Sequence, residues 1–155
     1  STRSRRQRQS EEATVSAGDD WQLKVVEMEL MGKGLTSLLG VVSFERFSEL
    51  AVIDLSNNSL KDLSGIECRG QSLRELLAEN NRLKDLTAIQ GFQNLRRLEL
   101  GHNRITSVRP LSGLTQLVQL SIGDNQLANL SGLENLIHLK ELCEWKFSFG
   151  SFPPH

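Results

Sequence analysis

Residues 95–105 read LRRLELGHNRI, and this arrangement of leucines followed by one asparagine organises most of the chain. Written as L-x-x-L-x-L-x-x-N-x-L, the pattern recurs at residues 50–60 (LAVIDLSNNSL), 73–83 (LRELLAENNRL) and 117–127 (LVQLSIGDNQL). The first leucines of the four copies are 23, 22 and 22 residues apart. A period this short predicts a solenoid, in which each copy packs only against its neighbours.

The alternation within each copy predicts a short, half-buried strand. Leu98 and Leu100 flank Glu99, so the two leucines point to one face of the strand and Glu99 points to the other. Successive copies then form a parallel sheet whose buried face is a continuous core. After the strand, apolar residues recur every three residues, as in residues 108–114. This step predicts a 3₁₀ turn along the back of the sheet.

One asparagine in each copy stands where the strand must turn away from the sheet. Its carboxamide offers two hydrogen-bond donors and an acceptor, so it can satisfy backbone groups that water does not reach. We therefore predict a structural ladder formed by Asn58, Asn81, Asn103 and Asn125.

Two copies depart from the template. Residues 25–35 (VVEMELMGKGL) match it with Lys33 in place of the asparagine, which predicts a capping copy with a solvated turn. The segment SFERF at residues 43–47 predicts a helical turn that carries its two phenylalanines into the core. In the third copy, Leu77 takes an exposed strand position and Ala78 replaces a leucine, so a register slip of one residue is an alternative there.

The composition predicts three segments. Residues 1–20 contain almost no large apolar side chain, so we expect a disordered tail. We interpret this segment as a solvated leader. The alternative is a phosphorylation site at Ser4 or Ser10, or a weak nucleic-acid or localisation patch formed by the arginines. Residues 21–142 form the repeat domain, with about five repeats and the start of a sixth. Residues 143–155 form an atypical segment.

Alternating aromatic residues mark this last segment. Trp145, Phe147 and Phe149 predict a strand with one strongly apolar face, which ends at Gly150. Two interpretations remain open. The aromatics either seal the C-terminal end of the leucine core or form an exposed patch that binds a partner or a second copy of the chain.

The overall totals exclude several classes of protein. The 155 residues are 38% hydrophobic, and 18 basic residues against 19 acidic ones give a net charge of -1. We expect no nucleic-acid partner and no membrane association, because the charge is balanced and no apolar run approaches the roughly 18 residues of a membrane span. Cys68 and Cys143 fall on different parts of the template, so we expect no disulfide between them. We predict a soluble protein, monomeric alone and cytoplasmic by default, with nuclear, ciliary or cytoskeletal locations left open.

Residues 25–142 resemble the leucine-rich repeat family, and the 22-residue copies resemble its short intracellular class. That class includes protein phosphatase 1 regulatory subunit 7, outer-arm dynein light chain 1 and the acidic nuclear phosphoproteins. The resemblance implies an α/β fold: a horseshoe-shaped solenoid with a parallel β-sheet on the concave face and short 3₁₀ or helical turns on the convex face. It also implies a scaffold that binds another protein on the concave face.

Acidic residues dominate the strand and turn positions expected on the concave face. We predict a partner-binding site formed by Glu27, Glu29, Asp54, Glu75, Leu77, Glu79, Arg97, Glu99, His102 and Asp124. Carboxylates about one strand spacing apart, ~4.8 Å, repel one another, so a basic segment of a partner protein would relieve them. In the alternative, the acids only keep the sheet soluble, and the chain is a structural subunit of a ciliary, cytoskeletal or regulatory complex docked through its convex or C-terminal surface.

The sequence gives no support for catalysis. His102, His138 and His155 are scattered over different parts of the template, and neither cysteine has a companion at the spacing of a metal site. We therefore predict that the protein is not an enzyme and that it holds no metal and no cofactor.

Overall fold

The backbone of this chain forms one six-stranded parallel sheet in the computed structural model, which describes residues 24–143. The strands are β1 (Glu27–Glu29), β2 (Val52–Asp54), β3 (Glu75–Leu77), β4 (Arg97–Glu99), β5 (Gln119–Ser121) and β6 (Glu141–Cys143). They lie side by side in the order of the chain. This arrangement confirms the predicted solenoid. The predicted tail at residues 1–20, and all but the first residue of the segment at 143–155, lie outside the described residues.

The middle residues of the strands align in one column on the inner face of the sheet. The column consists of Met28, Ile53, Leu76, Leu98, Leu120 and Leu142. Its four interior members have no exposed surface, because strands on both sides cover them. Side chains of successive copies therefore merge into one core, as the leucine pattern predicts.

The third copy keeps the regular register. Asp54 aligns with Leu77 across the β2–β3 pair, and Leu76 fills the inner position. Ala78 is fully buried despite its small size. The register slip considered from the sequence is therefore wrong, since a shift of one residue would move Leu76 to the solvated face.

Short 3₁₀ turns form the back of the solenoid. They span Phe44–Arg46, Glu67–Arg69, Thr87–Ile89 and Arg109–Gly113. The turn in the segment at 43–47 is confirmed, and it buries Phe44 completely and Phe47 almost completely. Within the described part of the chain, no helix has the length and hydrophobicity needed to cross a membrane.

The asparagine ladder joins each copy to the one before it. Asn103 Nδ2 donates to the carbonyl oxygen of Leu100 in its own copy and to that of Ala78 in the preceding copy, each at 2.9 Å. Its Oδ1 accepts from the amide N–H of Leu83 at 3.0 Å. The same pattern is made by Asn58, Asn81 and Asn125. These hydrogen bonds are the ones that a structural role requires.

The first copy shows why its turn tolerates a lysine. The amide N–H groups of Lys33 and Leu35 both donate to Oδ1 of Asn58 at 3.0 Å, so the asparagine of the next copy satisfies this turn. Lys33 itself is exposed and need not satisfy any buried group.

The last copy is less completely covered than the interior ones. Leu142 occupies the same column as Leu98 but is 37% exposed, whereas Leu98 is 0% exposed. Leu130 and Leu133 on the back of this copy are only partly buried, and no 3₁₀ turn is formed there. Among the described strands, β6 has a neighbour on one side only, which is β5. A leucine at the same template position is therefore more exposed in this copy than in the interior copies.

Candidate partner-binding face

The outward residues of the strands form two rows across the concave face. The first row, in strand order, is Glu27, Val52, Glu75, Arg97, Gln119 and Glu141. The second row is Glu29, Asp54, Leu77, Glu99 and Ser121. Carboxylates stand in both rows, and Arg97 is the one basic residue within the described strands. The face is therefore acidic with a single internal cation.

Arg97 is held between two of these carboxylates. Its Nε donates to Glu99 Oε1 at 2.8 Å, and its Nη2 contacts the same oxygen. Its Nη1 lies 3.6 Å from Glu75 Oε2 on the neighbouring strand. The hydrogen bond to Glu99 raises the pKa of Arg97 above its ordinary value, against the opposing effect of partial burial. Arg97 is thus a fixed counter-ion in the middle of the face.

Neutral side chains donate hydrogen bonds to two further carboxylates toward the C-terminal end of the face. Gln119 Nε2 donates to Glu141 Oε2 at 2.7 Å, and the Ser121 hydroxyl donates to Glu79 Oε1 at 3.4 Å. Neither Gln119 nor Ser121 belongs to the predicted site set. The repeat period places Gln119 and Glu141 side by side in the first row, since they are 22 residues apart, but it does not specify that their side chains form a hydrogen bond.

Two carboxylates near the N-terminal end, those of Glu29 and Asp54, have few partners. Glu29 and Asp54 are register neighbours on β1 and β2. Asp54 Oδ1 accepts from the amide N–H of Ser56 at 2.9 Å. Neither carboxylate forms an ion pair with another residue in the range 24–143. This end of the concave face keeps negative charge available to a partner.

A small cavity opens on the concave face between β1 and β4. Its volume is about 120 Å³, well below the roughly 300 to 1,000 Å³ of small-molecule pockets. Its lining consists of Glu27, Met28, Glu29, Val52, Asp54, Glu75, Leu77 and Arg97. A cavity of this size fits one side chain of a partner better than it fits a whole small-molecule ligand.

The turns that follow the strands form a rim with an unusual backbone. Asn57, Asn80, His102 and Asp124 occupy the same template position, and all have φ between 53° and 57°. Asn, Asp and His tolerate this left-handed region better than most residues. His102 therefore lies in the turn after β4. Its Nδ1 is 3.4 Å from Asp124 Oδ2, and both side chains are exposed.

The structure brings most of the predicted site residues together. Six of them line the cavity: Glu27, Glu29, Asp54, Glu75, Leu77 and Arg97. Glu99 contacts Arg97, and Glu79 lies just beyond β3, beside Ser121. His102 and Asp124 lie apart from the cavity on the rim. A role in partner binding stays a prediction for all ten residues. Val52 also lines the cavity but is missing from the predicted set. Its template position places it on the concave face, but that position does not reveal the cavity.

Metal binding has no support in the described region. Among residues 24–143, no group of three or more His, Cys, Asp or Glu side chains could hold a metal ion. The arrangement offers ion pairs, hydrogen bonds and a small apolar floor, which are the interactions of a protein-binding surface.

Comparisons with known proteins agree with the repeat architecture. A family model described as Leucine Rich repeats (2 copies) matches residues 93–135. Among solved structures, the chain is similar to internalin C2 from Listeria monocytogenes, with 26% sequence identity and a TM-score of 0.71 over 78% of this chain. It is also similar to a chain of the mouse RP105/MD-1 complex, with 26% identity and a TM-score of 0.59 over 76% of this chain.

A third similar structure is a chain of the TLR13–ssRNA13 complex, with 29% identity and a TM-score of 0.57 over 65% of this chain. This chain spans 52% of the internalin C2 chain, 25% of the chain in the RP105/MD-1 complex and 16% of the TLR13 complex chain. No curated protein matches the sequence.

Proposed function

Because this chain belongs to the leucine-rich repeat family, we propose that it is an adaptor that holds a basic segment of another protein on its acidic concave face. Proteins of this family commonly act in protein–protein interactions, and RP105 is found in a complex with MD-1. The observation that carries the proposal is the acidic face itself. Glu29 and Asp54 stand side by side on it and form no ion pair within residues 24–143.

A basic segment fits this face for electrostatic reasons. Carboxylates on adjacent strands repel each other at a spacing of about 4.8 Å, and a lysine or arginine placed between them removes that repulsion. The acidic field also steers a basic partner during association. TLR13 is found with ssRNA13. A nucleic acid is a poor partner for the face described here, because phosphates would meet carboxylates.

A second candidate function rests on apolar side chains outside the concave face. Leu39 and Val41, on the back of the first copy, are 63% and 54% exposed, and Ile137 in the last copy is 80% exposed. A contiguous exposed apolar patch marks a docking site, and Leu39 and Val41 lie two residues apart on the same segment. In that role the chain is a structural subunit, and its concave acids serve only to solvate the sheet.

The proposal includes two further features. The adaptor is non-enzymatic, which agrees with its similarity to leucine-rich repeat proteins, since these are typically non-enzymatic interaction modules. It resides in the cytoplasm, which agrees with the free, exposed thiol of Cys68, since such thiols persist in reducing compartments. Fluorescence imaging of the tagged full-length protein in the source cell tests the location.

Affinity capture from the source cell tests the adaptor function. The variant Glu29→Lys/Glu75→Lys reverses two charges on the concave face. The matched control Glu45→Lys/Glu49→Lys makes the same charge change at two exposed positions on the back of the first copy. Circular dichroism and thermal melting establish that all three proteins are folded. We expect a bound protein that the wild type and the control retain and that the concave variant loses.

The opposite pattern would contradict the adaptor function. If the concave variant retains every captured protein, the acidic face serves only as a solvated surface. A third variant, Leu39→Ser/Val41→Ser, then tests the structural subunit, which requires loss of the captured protein through these apolar positions.

A further inference from the structure

Arg97 shows how this sheet binds a guanidinium group. On the first row, Arg97 stands beside Glu75 of the neighbouring strand, and Glu99 follows it by two residues on its own strand. Both carboxylates contact the guanidinium group, Glu99 through Nε and Nη2 and Glu75 through Nη1. The arrangement needs only a carboxylate on the adjacent strand and another two residues further along.

The same arrangement of carboxylates recurs around Val52, but without the arginine. Val52 aligns with Glu27 of β1, as Arg97 aligns with Glu75 of β3. Asp54 follows Val52, as Glu99 follows Arg97. On its other side Val52 aligns with Glu75, so this short apolar residue lies between two acidic positions of the first row. Position 52 therefore combines the acidic surroundings of position 97 with a side chain that carries no charge.

The surface at this position is recessed. Val52, Leu77 and Met28 supply apolar surface to the cavity on the concave face, and its charged lining is net acidic. The four carboxylates outnumber the one cation, and these charged residues are Glu27, Glu29, Asp54, Glu75 and Arg97. An arginine side chain has both kinds of surface, since its aliphatic stem packs on apolar groups while its guanidinium group reaches carboxylates. The shape and the charge of the cavity thus match one type of side chain.

We propose that this cavity binds an arginine side chain of the partner protein, with the stem on Val52 and Leu77 and the guanidinium group between Glu29 and Asp54. This proposal rests on the proposed adaptor function and makes it specific. Arginine is favoured over lysine because its planar group can bind two carboxylates at once, as Arg97 does, whereas an ammonium group is a point charge. The partner segment therefore has an arginine at the position that meets β1 to β3.

Two labelled peptides test the proposal, hexa-arginine and hexa-lysine, with binding to the 155-residue chain measured by fluorescence anisotropy. The test variant is Val52→Arg, which gives position 52 the side chain found at position 97 and fills the cavity from within. The matched control is Ser121→Arg, which adds the same charge to the second row away from the cavity. Thermal melting establishes that each variant is folded.

In the wild type we expect hexa-arginine to bind about five- to tenfold more tightly than hexa-lysine, the size of one charge-assisted hydrogen bond. In Val52→Arg this preference should disappear, and hexa-arginine affinity should fall about tenfold or more. In Ser121→Arg both peptides should weaken by a similar, smaller factor, and the preference for arginine should remain. Methyl NMR of Val52 and Leu77 should show shifts with hexa-arginine that hexa-lysine does not reproduce.

Three results would overturn the proposal: equal binding of the two peptides, absence of binding by either, or equal losses in Val52→Arg and Ser121→Arg. None of these depends on the capture experiment. If the arginine preference is absent while Glu29→Lys/Glu75→Lys still loses its captured protein, the adaptor function stands and only the arginine cavity is wrong. If that variant loses nothing, the adaptor function itself is contradicted.

Discussion

The two faces of each strand follow different rules. On the inner face of β4, Leu98 has no exposed surface, and the equivalent residues of the other copies are all aliphatic or methionine. On the outer face of the same strand, Arg97 and Glu99 contact solvent, and their equivalents in other copies include valine, leucine, glutamine and serine. The inner face is uniform because every copy must join the same core. The outer face is free to vary, and that is where a binding specificity can reside.

The largest expected effect of a single change on stability is on the inner face. Leu98→Ala should lower the free energy of unfolding by about 3 kcal/mol, through lost burial and the cavity left behind. Leu142→Ala is the matched control, because it changes the same column at a position that is already 37% exposed. Urea denaturation should show a cost about half as large or less for Leu142→Ala. Equal costs would mean that the interior and terminal copies are covered alike.

The asparagine ladder belongs with the inner face, although its members are polar. Asn103→Ala should lower the free energy of unfolding by about 2 kcal/mol or more, because it leaves the buried N–H of Leu83 and two carbonyl oxygens without this partner. Asn94→Ala is a suitable control, since the Asn94 side chain makes a single exposed hydrogen bond to Gln71. The control should cost under about 1 kcal/mol in the same denaturation experiment. Equal losses of unfolding free energy in Asn103→Ala and Asn94→Ala would contradict the structural role of the ladder.

The rim has an intermediate role, because its side chains are exposed but its backbone is constrained. Asn80→Val should destabilise the protein by about 1 kcal/mol, since a β-branched residue is strained at the observed φ of 53°. Asn80→Gly should be neutral or slightly stabilising at the same position. Thermal melting of the two variants checks this order. Equal melting temperatures for valine and glycine would show that the left-handed backbone at this position is not required.

The smallest expected effect concerns a turn on the back of the sheet. Hydrogen bonds from the Thr87 hydroxyl and then from its amide N–H hold the pKa of Asp85 below its ordinary value of 3.8. A carboxyl group with a lowered folded-state pKa adds stability above its unfolded pKa and loses it as the pH falls through the folded value. Asp85→Asn should therefore reduce the melting temperature slightly at pH 7, and this difference should shrink as the pH falls through the folded-state pKa. A difference that does not change with pH would show that the substitution acts through packing and not through the charge.

Much of the architecture was predictable because the inner face repeats. The period of 22 residues fixed the strand order, the parallel pairing, the buried leucines and the asparagine ladder. The register of the third copy needed the structure, since Leu77 and Ala78 allowed two pairings that differ only in which face each residue takes. The exposure of Leu142 could also be known only from the structure, because Leu142 and Leu98 are the same residue type at the same template position.

The outer face was predictable only in part. The sequence places Glu75, Arg97 and Glu99 close together, and the structure adds which oxygen and nitrogen atoms meet. The pairing of Gln119 with Glu141 joins residues from different copies and depends on side-chain conformation, which no repeat pattern specifies. The cavity at Val52 was missed because its depth depends on the sizes of all the side chains that line it, which the repeat pattern does not specify.

The most direct test of the account is the ionic-strength dependence of binding between this chain and the protein that it captures. The dissociation constant should be measured at low and at high salt for the wild type, for Glu29→Lys/Glu75→Lys and for the control Glu45→Lys/Glu49→Lys. We predict that the affinity of the wild type and of the control falls steeply with salt. The concave variant should bind weakly at every salt concentration. A salt-independent affinity that the concave variant shares would contradict the claim that the acidic concave face is the binding surface.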